Sequence, residues 1–177
     1  MYQTIIPPLL LVLVASNLLA QSPVDSSLKD AIEPLLRAHR GEVGVAVRSL
    51  DNKVYYAFNA KQVMPTASLI KLPMMVTAYR LLDEGKIDLQ KPIELAEEDK
   101  VPGSGILTSH FSAGVKLPFV DYVRLMIRYS DNTATNVVAD QIGLKKTATM
   151  MESLGLNETK LHSKVCRGDT TVFPKRS

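Results

Sequence analysis

The chain has one cysteine, no tryptophan and no run of Lys or Arg longer than two residues. A single cysteine, Cys166, excludes an intrachain disulfide in any compartment. Near the C-terminus and without a recognisable activating partner, it reads as an incidental thiol rather than a nucleophile. Net charge is only +3 over 177 residues. With no basic run to concentrate it, that charge gives no electrostatic footprint for nucleic acid. Internal repeats and low-complexity stretches are also missing. Hydrophobic residues make up 46% and charged residues 22%, which excludes wholesale disorder and suits one domain with a sizeable core.

The N-terminus departs from that average. From Ile5 to Ala20 the chain is almost entirely apolar, centred on Leu9-Leu10-Leu11-Val12-Leu13-Val14 and followed by Gln21-Ser22-Pro23. The run falls short of the roughly 20 residues a membrane-spanning helix needs. Residues 1–20 are therefore expected to be a secretory signal peptide cut near Ala20, which places the mature chain in the periplasm or outside the cell. No stable membrane partner is expected after cleavage.

Beyond Pro23 the pattern alternates between helix and strand. Asp25 is placed to cap a helix running to about His39, with Leu28, Ile32, Leu35 and Leu36 on one stripe and Gly41 closing it. Val43 to Leu50 and Val54 to Phe58, joined by Asp51-Asn52-Lys53, predict an antiparallel hairpin. Ser68 to about Glu84 predicts a helix, with Pro73 expected to kink it or loosen its first turns. Lys86 to Leu117 reads as mostly loop. Three further helices are predicted over Phe119–Arg128, Asn132–Ile142 and Lys145–Leu154. Two strands alone do not make a stable sheet.

Two short motifs carry chemistry. In Ser68-Leu69-Ile70-Lys71, a hydroxyl and an amine stand three residues apart, on one helix face. A neutral amine there can take the serine proton and make the hydroxyl a nucleophile, and burial lowers a lysine's pKa toward that neutral form. Backbone N–H groups at the helix start can stabilise a developing oxyanion. Spacing alone is weak, because Ser26 and Lys29 repeat it as a capping or surface pair. The second motif, Ser130-Asp131-Asn132, is rarer, expected roughly 0.03 times in a chain this long at ordinary residue usage. It adds a second hydroxyl and a carboxamide, and its residues also suit a helix N-cap. No arrangement of residues calls for a metal or a cofactor.

In their surroundings these motifs resemble those of class A β-lactamases and related penicillin-interacting serine enzymes. The resemblance rests on Thr66-Ala67-Ser68-Leu69-Ile70-Lys71-Leu72-Pro73-Met74 and on Tyr129-Ser130-Asp131-Asn132-Thr133-Ala134-Thr135-Asn136, with Gly103-Ser104-Gly105-Ile106-Leu107 upstream. The two motif serines stand 62 residues apart, close to the family's separation. The resemblance implies an α/β fold of the β-lactamase/transpeptidase type. It implies Ser68 as acylated nucleophile, Lys71 as its proton acceptor, Ser130 as proton relay to the leaving nitrogen and Asn132 as a hydrogen-bonding partner of the substrate's amide. Asp131 is expected to order its own turn. The implied partner is a small molecule, a β-lactam or a peptidoglycan peptide.

The chain departs from that family in two places. The third motif, Lys-Thr-Gly, is missing before Ser177, and Lys146-Thr147-Ala148 lies on a predicted helix and lacks the glycine. Residues 21–177 are therefore expected to be an incomplete domain, holding the N-terminal helix, the hairpin and the helical subdomain, with the remaining sheet strands and final helix missing. Second, Thr159-Lys160-Leu161 leads into His162-Ser163-Lys164-Val165. Val165 stands where class A enzymes carry the glutamate that activates the deacylating water. A valine accepts no proton, and His162 is a substitute only on paper. Three readings stay open: a β-lactamase working through an acyl-enzyme on Ser68, a D,D-peptidase-like or other amide or ester hydrolase of the same superfamily, and a non-catalytic exported fragment.

Overall fold

A computed structural model of the chain describes residues 24–168. The expected signal peptide lies outside these residues. The described chain divides after Met64 into two compact units.

In the first unit, helix α1 spans Ser26–Ala38. Asp25 caps it from an extended backbone, its Oδ1 accepting from the Leu28 N–H at 2.8 Å, which satisfies one of the orphan donors of the first turn. The repeated pair Ser26 and Lys29 falls in this capped first turn, and Lys29 reaches Glu33 along the helix. None of the α1 residues is buried, and Leu35 is 70% exposed. Strands β1 (Val45–Arg48) and β2 (Tyr55–Phe58) pair antiparallel, from Val45 opposite Phe58 to Arg48 opposite Tyr55. The turn is held by Ser49, whose Oγ accepts from the Val54 N–H and donates to Asp51. The Asp25 N–H donates to the Tyr55 carbonyl, tying the start of α1 to β2.

The second unit holds the core. A 3-10 turn, Ala67–Ile70, runs into α2, Lys71–Asp83. Pro73 is the third residue of α2, so its missing N–H falls among those that have no intrahelical acceptor, and the helix continues unbroken. The looser opening expected of Pro73 takes the form of this 3-10 turn. Helices α4 (Phe119–Arg128) and α5 (Asn132–Ile142) have the bounds predicted for them, and α6 is Leu144–Ser153. Met74, Ala78 and Leu81 of α2 meet Tyr122, Val123 and Met126 of α4 and Ala134, Val137, Val138 and Ile142 of α5 in one buried cluster. Each set follows helical spacing, and each fully buried large side chain contributes about 1.5–3 kcal/mol.

Lys86–Leu117 is less loop-like than expected. Strand β3 (Pro92–Glu94) pairs with β4 (Lys116–Pro118), and a single-turn helix α3 (Leu107–His110) lies between them. Three-residue strands bounded by prolines carry too little alternation to be seen in sequence, and proline is tolerated at such edges. Leu89 and Lys91 carbonyls accept from Val120 and Phe119 N–H groups, which fixes the approach of the chain to α4.

Candidate active site

Ser68 lies in the 3-10 turn and Lys71 opens α2. In a 3-10 turn, residues three apart nearly eclipse, and Lys71 Nζ stands 3.4 Å from Ser68 Oγ. Ser130 joins them from the turn between α4 and α5, in a left-handed conformation with φ +52° that a serine rarely adopts. Its hydroxyl donates to Ser68 Oγ at 2.9 Å. Lys71 Nζ donates to Ser130 Oγ at 3.0 Å, to the Ser130 carbonyl at 2.6 Å and to Asn132 Oδ1 at 3.0 Å. All four residues singled out in the sequence therefore meet within one hydrogen-bonded cluster.

Lys71 is 3% exposed. Burial pushes its pKa below the ordinary lysine value, and Asp131 and Cys166 partly oppose that shift. Burial thus destabilises the ammonium form of Lys71 relative to the neutral amine.

Asp131 is buried and spans two elements. One carboxylate oxygen accepts from the Ala134 N–H and caps α5, and the other accepts from the Ile106 and Leu107 N–H groups at 2.7 and 2.9 Å. The turn-ordering expected of Asp131 extends to a second loop, 24 residues away in sequence. That loop must come very close. A side chain at Gly105 would overlap the Asp131 carboxylate, and one at Gly103 would lie 2.7 Å from Asn132 Nδ2. Both glycines also have positive φ, so their place in the sequence is doubly constrained.

An open cleft of about 400 Å³ adjoins the cluster, lined by Ser68, Lys71, Ser104 and Asn132 on one side and by Leu161 and Ser163–Cys166 on the other. Its size suits a small molecule. The segment forming the second wall is clamped to α5. Asn136, buried on the same α5 face as Asn132, donates through Nδ2 to the Val165 carbonyl and accepts at Oδ1 from the Val165 N–H, at 2.9 and 2.8 Å. Lys164 pairs with Asp140. Val165 thus stands on the cleft wall, and His162 does not line it. No Asp or Glu lines the cleft among the described residues. Sequence reading assigned no role to Asn136, although its spacing of four from Asn132 was an available signal. Cys166 is exposed, has φ +56° and stands 3.9 Å from Asn132 Nδ2. No group of three or more His, Cys, Asp or Glu is placed to hold a metal among the described residues.

Residues 27–176 match the model of a family described as the β-lactamase enzyme family. The chain belongs to that family. β-Lactamase PSE-4 of Pseudomonas aeruginosa is 23% identical over 150 residues, covering 84% of this chain and 51% of that relative. A β-lactamase structure from Sphaerobacter thermophilus matches with TM-score 0.73 and 35% identity, over 80% of this chain and 53% of that one. A leucine-to-glutamate mutant of PBP-A, captured as an acyl-enzyme complex with penicillin G, matches with TM-score 0.71 and 25% identity, over 84% and 55% of the two chains. The described residues thus carry part of a β-lactamase/transpeptidase-like fold. This β-lactamase family member spans about half the length of the curated relatives it matches. The matched residues include both motifs and Val165.

Proposed function

We propose that this chain carries the acylating half of a serine β-lactamase-type site, with Ser68 as the nucleophile. The observation that carries this reading is the triangle of Ser68, Lys71 and Ser130, each within 3.4 Å of the others, around a buried amine of lowered pKa. In the step proposed, neutral Lys71 takes the Ser68 hydroxyl proton as Oγ bonds to the carbonyl carbon of the β-lactam. The ring C–N bond breaks as the tetrahedral intermediate collapses. Ser130 gives its proton to the leaving nitrogen and recovers one from the Lys71 ammonium. The net transfer is one proton from Ser68 to the ring nitrogen, leaving an ester on Ser68. Asn132 would hold the amide side chain of the substrate. Release requires water to add to that ester, returning the acid product and the Ser68 hydroxyl. The apolar segment before Gln21 supports export, which would put this chemistry in the periplasm or outside the cell.

A second reading has its own support. With Val165 on the wall and no carboxylate lining the cleft among the described residues, nothing there is suited to activate the hydrolytic water. Acylation followed by slow release is the behaviour of a penicillin-binding or D,D-peptidase-type enzyme, and the PBP-A acyl-enzyme with penicillin G is a structural relative in that sense. Incubating the purified chain with penicillin G and a chromogenic cephalosporin, then recording turnover and intact mass, separates the readings. Turnover supports the β-lactamase. A persistent adduct, lost in Ser68→Ala, supports acylation with slow release. A folded chain that shows neither overturns both.

A further inference from the structure

Thr108 and Thr133 play no part in the chemistry proposed above, yet they form a closed circuit beside it. The Val101 N–H donates to Thr133 Oγ1 at 3.0 Å. Thr108 Oγ1 donates to the Val101 carbonyl at 2.8 Å. The two hydroxyls are 2.8 Å apart. A backbone N–H can only donate and a carbonyl can only accept. Thr108 has therefore spent its proton on Val101, and Thr133 must donate to Thr108. The ring has one permitted direction, from Val101 N–H through Thr133 and Thr108 back to the Val101 carbonyl. Both backbone groups of a buried residue are satisfied by two side chains from elements 25 residues apart.

The loop that begins at Val101 holds the Asn132 side chain. The Pro102 carbonyl accepts from Asn132 Nδ2 at 3.2 Å, and the Ser104 carbonyl accepts from the Asn132 N–H at 2.9 Å. Asp131 grips the far end of the same loop through Ile106 and Leu107. Three consecutive residues, Asp131, Asn132 and Thr133, thus fasten the loop 101–107 at its end, middle and beginning. Anchoring Val101 fixes the Pro102 carbonyl, and that carbonyl is the shorter of the two contacts of Asn132 Nδ2, the other being Cys166 Sγ at 3.9 Å. With Nδ2 held on Pro102, Oδ1 is turned to Lys71 Nζ.

We infer that Thr108 and Thr133 are positioning residues that set the orientation of the Asn132 carboxamide toward Lys71. This rests on the reading of Ser68, Lys71 and Asn132 as the acylating site. Breaking the ring frees the Pro102 carbonyl and slackens the Asn132 amide. Lys71 then loses one acceptor that favours its ammonium form, so its titration moves to lower pH. The Ser130 carbonyl and hydroxyl, which also accept from that amine, and Asp131 and Cys166 are left in place.

The test uses the full chain with Thr108→Val and Thr108→Ser. Thr108 is exposed, so these variants leave the packed core intact. The Asn132 side-chain amide pair is followed by two-dimensional NMR across the titration of Lys71, and Ser68 acylation by penicillin G is followed by intact mass. In Thr108→Val the amide resonances shift, the midpoint falls, and acylation slows about three- to tenfold, the worth of one hydrogen bond. Thr108→Ser restores all three. Unchanged amide signals and midpoint in Thr108→Val overturn the inference. So does a shift that Thr108→Ser fails to reverse, because that would be a packing effect. If the unmodified chain takes no acyl group, the proposed function fails while the amide and midpoint results still decide the role of the threonines.

Discussion

The two walls of the cleft are built to similar standards and equipped very differently. On one wall, Ser68, Lys71, Ser130 and Asn132 form a dense polar cluster around a buried amine. On the other, Leu161 and Ser163–Cys166 are fastened just as firmly, through Asn136 and Asp140, but present Val165 where a proton acceptor would serve. The difference separates two steps that a serine hydrolase has to perform. Forming an acyl-enzyme needs a nucleophile, a base and a proton relay, the roles proposed above for Ser68, Lys71 and Ser130 on one wall. Releasing it needs an activated water, and the residues described on the opposite wall include no Asp or Glu to activate one. Rigidity and chemical competence are thus independent properties of a site, and neither can be inferred from the other.

Converting the deficient wall is the strongest way to break this contrast. Val165→Glu places a carboxylate on a segment already anchored at that residue's own backbone N–H and carbonyl. General-base catalysis typically contributes about 10²- to 10⁴-fold. The penicillin G adduct on Ser68 is expected to disappear faster by at least the lower figure in Val165→Glu, with the rate of its formation unchanged. Intact mass over time measures both. An adduct lifetime equal to that of the unmodified chain would mean that something other than a missing base limits release.

A smaller effect tests whether the second wall depends on its clamp. Asn136→Ala removes two hydrogen bonds to Val165 and leaves that residue's backbone without them. At about 1 kcal/mol net for each bond, the segment is expected to lose about 2 kcal/mol of local stability. Hydrogen exchange at the Val165 amide should then speed up by more than tenfold, while core amides of α4 such as Met126 keep their protection. Equal loss at both places would make Asn136 a general determinant of the fold rather than a clamp on one wall.

The two walls also differed in how far the sequence disclosed them. The first is carried by short motifs with a chemical rationale, and its helices announce themselves. α4 is marked by Val120, Val123, Leu125 and Ile127, of which only the first two are buried, and α5 has Asp131 ahead of it as a cap. Ser-x-x-Lys spacing contributed little by itself, since Ser26 and Lys29 share it on an exposed helix. The rarity of Ser130-Asp131-Asn132 did more. Across the cleft, the valine was legible only against a family pattern, and its anchorage was not legible at all. Asn136 and Val165 are 29 residues apart, and a polar pair at that range leaves no periodic trace. The same holds for the Thr108–Thr133 circuit and for the three-residue strands β3 and β4. Periodicity reports faces of regular elements, and these features belong to loops held by individual hydrogen bonds.

The smallest expected effect joins the two walls electrostatically. Lys71 has its pKa lowered by burial, so acylation should rise with pH and reach its midpoint below the ordinary lysine value. The corresponding stability contribution has the opposite sign to that of a paired lysine. Between the lowered folded value and the ordinary unfolded one, the unfolded chain binds more protons, so stability at this group rises with pH through that window. Cys166, on the opposite wall, raises the Lys71 pKa. Cys166→Ser removes the thiol and keeps a hydrogen-bonding group in place. The acylation midpoint should therefore move slightly further down, with the plateau rate at high pH unchanged. A midpoint that stays put would show that Cys166 does not act on the amine, and that its contact with Asn132 Nδ2 is the link between the two walls.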